Sequence, residues 1–246
     1  MKLEQIITFT GTIFCVTGLS IGGSSNALEI GGVAQEVIKN PITKEPYIPG
    51  SSLKGKMRFE LEKKYGSYFE KVIEDDKNKK SKKSGTDESH RKYLPSKNPC
   101  GCGRATCYIC RIFGAHNNKK AMSGPTRIVV RDAVLSQESK ETIHKLTVDH
   151  GGYLERKTEN IINRNSGTAD SPRTIERVPA GLSFEFEIVL RIFEGDNSKE
   201  MIEKVKEGLK LVEKSYLGGG GSRGSGQVKF EYEVTCENMK GVSKSV

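Results

Sequence analysis

Between Leu182 and Ile192 the chain alternates without a break, with Phe184, Phe186, Ile188, Leu190 and Ile192 set against Glu185, Glu187 and Arg191. A period of two sustained over that length specifies a strand with one buried and one solvent-facing side. Gln227 to Thr235 repeats the pattern, with Val228, Phe230, Tyr232 and Val234 against Lys229, Glu231 and Glu233. Between the two, Ser198 to Tyr216 places Ile202, Val205, Leu209, Val212 and Tyr216 on one helical face. Two half-buried strands and an amphipathic helix have to close over a shared core, so the architecture is a layered α+β one.

The first half carries the matching elements. Gln5 to Thr17 is rich in β-branched residues and predicts a long strand. Ser51 to Tyr65 predicts a helix with Leu53, Met57 and Leu61 on its apolar face, and Thr126 to Leu135 predicts a strand that bears Arg127 and Arg131. The order strand, helix, strand, strand, helix, strand is the ferredoxin-like (RRM-like) pattern, which many RNA-binding domains share.

Two long insertions interrupt this core. Glu74 to His90 lacks large apolar residues and predicts a mobile, solvated loop. Asp149 to Gly181 is also poor in core formers but carries Arg156, Lys157, Arg164, Arg173 and Arg177, which favours a projecting element that touches nucleic acid. The formal net charge of +9 over 246 residues agrees, since it points to a polyanionic partner. No basic amphipathic helix with bulky apolar anchors stands out, and no apolar run reaches membrane-spanning length, so a membrane is not expected as partner. The N-terminus has no secretory pattern, and a cytoplasmic location is expected.

Cys100, Cys102, Cys107 and Cys110 form a C-x-C-x4-C-x2-C cluster. In a compartment that keeps thiols reduced, four of them so close together favour structural zinc over disulfides, with His90 or His116 as alternative ligands should one cysteine be displaced. Gly50 to Met57 (GSSLKGKM) nearly matches a nucleotide-binding phosphate loop, but Met57 stands where the metal-ligating hydroxyl belongs. Nucleotide hydrolysis is therefore disfavoured. Backbone-phosphate binding by Ser51, Ser52, Lys54 and Arg58 at a helix start survives that objection. Leu217 to Val228 (LGGGGSRGSGQV) lies between two core elements, where its glycines permit close approach of another backbone and Ser222 and Arg223 offer a hydroxyl and a cation.

Taken in order, IGGSSNALEIGGV, VIKNPITKEPYIPGSSLKGKMR, Phe113-Gly114, TRIVVRDAVL, ERKTENIINRNSGTA, PRTIERVPAG and LGGGGSRGSGQV resemble the repeated backbone subunit of type III-A CRISPR (Csm) effector complexes, of the RAMP superfamily. The likeness runs over the chain through Cys236. It implies a single RAMP domain over residues 1–246, with a lid and zinc-binding insertion at 66–125 and a projecting thumb hairpin within 147–181. The implied partners are CRISPR RNA, target RNA, further copies of the chain in a filament and other Csm subunits. The implied RNA contacts are Gly221, Ser222, Arg223 and Gly224 with Ser51, Ser52, Lys54 and Arg58; Arg127, Arg131, Arg156, Arg164, Arg173 and Arg177 are added as candidates from their charge and placement.

The resemblance also implies cleavage of target RNA by a loop aspartate with Mg²⁺ or another divalent cation. The family pattern there is Ile-Gly-Gly-Val/Ile-Asp, and this chain reads Ile30-Gly31-Gly32-Val33-Ala34. A methyl group neither binds a metal nor moves a proton, so cleavage is expected to be disabled at Ala34. The alternative is a non-catalytic, zinc-stabilised RNA scaffold.

Overall fold

The structure, a computed structural model, describes residues 1–22, 35–65 and 98–239. The expectations for Ala34, His90 and the Glu74–His90 loop therefore lie outside the described residues.

The core is an antiparallel sheet. Strand β1 (Leu3–Cys15) lies between β7 (Ser183–Phe193) and β8 (Val228–Asn238), and the path runs β2-β4-β7-β1-β8 with β3 also paired to β7. Here β2 is Tyr47–Ile48, β3 is Ile128–Val130 and β4 is Ala133–Leu135. Ile7, Phe9, Ile13 and Cys15 of β1 are buried, as are Phe184, Phe186, Ile188, Leu190 and Ile192 of β7. Pairing Phe9 with Ile188 and Ile13 with Phe184 puts these rows on one side, so the alternation of the sequence fixes the register. Gly11 sits where β8 comes closest: a Cβ there would lie 2.0 Å from the Glu231 carbonyl oxygen.

Helices α1 (Gly50–Lys64) and α4 (Ser198–Lys214) pack against each other beside that apolar side. Leu53, Met57 and Leu61 of α1 and Met201, Val205, Leu209 and Val212 of α4 are all buried, and Gly208 lets the helices approach at Met57 and Leu61. The Asn197 side chain caps α4 by accepting from the Glu200 N–H. The opposite side of the sheet pairs Thr10 with Glu187 and Glu233, and Thr12 with Glu185 and Glu231. This face is thus rich in threonine and glutamate.

Two features depart from the sequence expectations. The strand expected over Thr126 to Leu135 is broken at Arg131–Asp132, because the Asp132 carboxylate turns to accept the Gly50 N–H at 2.7 Å. A helix, α3 (Gln137–His150), follows; only Ser139 and Ile143 of it are buried, too few apolar positions to announce it by periodicity. Within the 147–181 stretch, expected to project as a hairpin, β5 (Glu155–Ile162) and β6 (Ala169–Arg177) form a separate two-stranded sheet. Its base is joined to the core through bridges between Leu19 and Val178 and between Gln35 and Ile175. The short helix α2 (Tyr108–Phe113) holds Cys110 and starts at Cys107, while Cys100 and Cys102 lie in the loop before it.

Candidate functional site

At the start of α1, Ser51 is exposed and Ser52 and Lys54 are half-buried. The leading donor of this helix is not open to a phosphate as the sequence implies, since Asp132 takes the Gly50 N–H. Gly50 is required for that arrangement: a Cβ would lie 2.2 Å from the Val130 carbonyl oxygen. Lys54 has no acidic partner among the described residues. Burial, with Arg58 and Arg191 nearby, holds its ammonium pKa below the usual lysine value. A cation left without a counter-charge among cations is poised for an external anion.

Arg58 plays a different part from the one expected. It bonds Glu62 at 2.8 Å and the Cys100 carbonyl oxygen at 2.6 Å, and Glu62 in turn accepts the Cys100 N–H at 2.8 Å. Its guanidinium thus ties α1 to the cysteine loop. Arg127 is corrected more sharply. It is 2% exposed, bonds Asp196 through two nitrogens at 3.1 Å and the Ser123 carbonyl oxygen at 2.8 Å, and bonds the Pro125 carbonyl oxygen as well. It is a structural cation without access to RNA. Arg131 is exposed and paired with Glu187 on the sheet.

The glycine-rich loop makes a 3-10 turn at Gly221–Arg223, flanked by Gly220 and Gly224 in left-handed conformation. Ser222, Arg223 and Gly224 are exposed. Two positions need glycine for space as well as for dihedral angle: a Cβ at Gly218 would lie 2.3 Å from the Ser20 carbonyl oxygen, and one at Gly226 would lie 2.0 Å from that of Leu217.

The hairpin docks on this loop. Arg177 donates to the buried Ser225 Oγ at 3.0 Å and also pairs with Glu155. Glu159 receives Arg223 at 2.9 Å, Arg173 at 3.1 Å and Lys157 at 3.6 Å. Lys157 Nζ also donates to the Arg223 carbonyl oxygen at 3.2 Å. Arg156 and Arg164 are exposed, and their side chains carry no hydrogen bond or ion pair among the described residues. On the other side, α1 reaches the loop through Tyr216: Lys56 Nζ lies 3.7 Å from the ring centroid, and the Gly221 backbone packs on the same ring. The glycine-rich loop is thus contacted by α1 on one side, through Lys56 and Tyr216, and by the hairpin on the other. Sequence reasoning missed Glu159, Tyr216 and Ser225, whose roles depend on contacts with Arg223, Lys56 and Arg177, far away in the chain.

Sequence spacing did foretell the cysteine cluster. The four sulfurs of Cys100, Cys102, Cys107 and Cys110 lie within 4.8 Å of one another, and Cys110 is 3.7 Å from both Cys100 and Cys102. Those separations match the edge of a tetrahedron with metal–sulfur bonds of about 2.3 Å. Hydrogen bonding from Cys107 pushes the Cys100 thiol down, and the same contact pushes Cys107 up to about 11. The set fits a thiophilic metal with no open coordination position. His116 donates its backbone N–H to the Cys100 carbonyl oxygen at 3.2 Å and is not among the four ligand positions. No helix among the described residues is long and apolar enough to cross a membrane.

Comparison with known proteins agrees with this arrangement. The RAMP superfamily profile matches residues 15–229. The CRISPR system Cms endoribonuclease Csm3 of Methanothermobacter thermautotrophicus is 39% identical over 242 residues, covering 94% of this chain and 86% of that protein. The protein of the same description from Methanocaldococcus jannaschii is 40% identical over 240 residues, covering 96% and 84%. A crystal structure of a Csm3-Csm4 subcomplex in the type III-A CRISPR-Cas interference complex superposes with a TM-score of 0.57 at 29% identity, covering 98% of this chain and 83% of that one. The chain thus belongs to the RAMP superfamily and, within it, to the Csm3 family.

Proposed function

We propose that the chain is a guide-RNA-binding backbone subunit of a type III-A effector complex. It holds CRISPR RNA by its phosphates, stacks with further copies of itself and with other Csm subunits, and displays the guide for pairing with target RNA in the cytoplasm. The observation that carries this reading is the joined surface of the glycine-rich loop and the hairpin, where Arg223 and Arg173 meet at Glu159 and where Arg156 and Arg164 of the same hairpin are exposed. Hydroxyls, backbone and cations without base-reading side chains suit sequence-independent binding, as is needed where pairing supplies the specificity. The order β8-β1-β7 followed by β3 and β4, with α1 and α4 beside one side, supports a ferredoxin-like core. In this reading β5–β6 is the thumb, within 147–181, and the 66–125 insertion is the lid.

The cysteine cluster holds Zn²⁺ as a structural ion, which fixes a loop that has little core of its own. Cleavage of target RNA in this family needs a carboxylate and a divalent cation such as Mg²⁺, which supplies charge neutralisation at the scissile phosphate. Ala34 stands at the position of that carboxylate, so the chain binds and displays without cutting. The next residue, Gln35, accepts the Glu176 N–H on its carbonyl oxygen at the base of the hairpin.

The test is target cleavage by the assembled complex with Mg²⁺ present. The chain as it stands should retain target RNA uncut, and Ala34→Asp should produce cuts at regular intervals. Cutting without the substitution would sink the assignment of Ala34. A silent Ala34→Asp complex would favour the purely scaffolding alternative.

A further inference from the structure

Glu159 is a single carboxylate surrounded by three cations that come from two separate elements. Arg173 is its cross-strand partner in the hairpin, and the register shifts immediately beyond, between Glu159 and Ile161. The Glu159 side chain reaches the glycine-rich loop from this point of the hairpin. Arg223 reaches back from the loop and touches both carboxylate oxygens, at 3.0 Å and 2.9 Å. Lys157 approaches the same group at 3.6 Å. The carboxylate is 10% exposed, whereas Arg173 and Arg223 are 54% and 50% exposed. The cations thus face solvent while the anion lies within their ring, and the cluster keeps an excess of positive charge.

A carboxylate and a phosphodiester are both monoanions with two equivalent acceptor oxygens, and the guanidinium fork binds either. We propose that Lys157, Arg173 and Arg223 form a binding site for one RNA phosphodiester, that Glu159 fills this site from within the chain, and that RNA binds there by displacing it. The inference rests on the RNA-binding reading above. Glu159 then acts as a placeholder that keeps three like charges together in the free chain. It also competes with RNA, so binding at this seam is weaker than its cations alone would give.

The competing role for Glu159 is a brace that locks hairpin to loop, and the two roles predict opposite signs. A placeholder that is removed releases its cations to RNA, whereas a lost brace loosens the surface and weakens binding. The experiment is fluorescence anisotropy of labelled single-stranded RNA with the full chain, titrated at several salt concentrations. Glu159→Gln and Glu159→Ala should each tighten binding about 3- to 10-fold at low salt, with the slope of log K against log salt steeper by about 0.7 for each phosphate newly engaged. Glu237→Gln, on the acidic sheet face, should change affinity less than twofold, which separates the effect from net charge. In an Arg173→Gln/Arg223→Gln background, Glu159→Gln should bring no gain. Unchanged or weakened binding by both Glu159 variants, or a gain that persists in that background, overturns the inference and leaves the RNA-binding reading standing. A chain that binds no RNA in any form overturns both.

Discussion

Lys56 Nζ sits 3.7 Å from the centroid of the Tyr216 ring, and Gly221 packs so tightly on that ring that a Cβ would lie 1.9 Å from its Cγ. Lys56 is held in turn by Glu60 at 2.7 Å, and Glu60 also accepts from Ser215 Oγ at 2.9 Å. The ring is therefore a spacer between α1 and the glycine-rich loop. Tyr216→Phe keeps the ring and should leave RNA affinity within about twofold, since the cation–π contact is retained. Tyr216→Ala should cost roughly 3 kcal/mol of stability and weaken RNA binding together with it. A double-mutant cycle pairing Lys56→Met with Tyr216→Leu, read by urea unfolding, should give a coupling of about 0.5–2 kcal/mol. Additive effects would remove the link.

The cysteine cluster is expected to contribute through the metal. Purified chain should contain zinc in equimolar amount, measured by elemental analysis. Chelation should lower the melting temperature and expose all four thiols to a thiol reagent. Cys110 is buried at the centre of the cluster, so Cys110→Ser should abolish zinc retention and lower stability by several kcal/mol. Full stability with zinc removed would show that the Arg58, Glu62 and Cys100 hydrogen bonds hold the loop alone.

Asp196 gives the chain a defined acid sensitivity. Its side chain is fully buried; burial alone would raise its pKa, but the hydrogen bond from Arg127, the Phe193 N–H and the charge of Arg111 hold it below the ordinary carboxylate value. A depressed carboxyl contributes stability above its unfolded pKa of about 3.9, and that contribution is lost as pH falls through the lower folded value. Unfolding free energy should therefore decline below about pH 5. Asp196→Asn leaves Arg127 buried without a counter-charge and should cost about 3–5 kcal/mol at neutral pH. The variant's stability should then fall less steeply with acid, and an unchanged slope would assign the acid sensitivity to other carboxylates.

What could be read from sequence divides along a physical line. Alternation from Phe184 to Ile192 was legible because one buried side imposes it, and the cysteines were legible because their chemistry depends on spacing. The break at Arg131–Asp132 was not, since it answers to the N–H of Gly50, 82 residues away. Arg127 read as a surface cation because its partner Asp196 lies 69 residues further on. Helix α3 was missed because only one of its large apolar residues, Ile143, is buried. Glu159 is one acid among many in a basic stretch until the hairpin register sets Arg173 opposite it.

Lys54 offers the most direct separation of binding from folding. Burial pushes its pKa down, Arg58 and Arg191 push it further, and no acid pairs with it among the described residues. Its positive charge is thus unfavourable in the free protein, and the penalty is fully present below the folded pKa and is relieved as pH rises through it. Lys54→Met preserves the aliphatic stem and removes the charge, so the melting temperature at neutral pH should stay equal or rise. RNA affinity should fall, and the salt dependence should flatten by about 0.7 for the lost phosphate contact. A residue that serves only packing would lower both measurements together, and a residue without a role in RNA binding would leave affinity unchanged. Stability held or gained while affinity falls is the signature of a cation whose counter-charge comes from RNA.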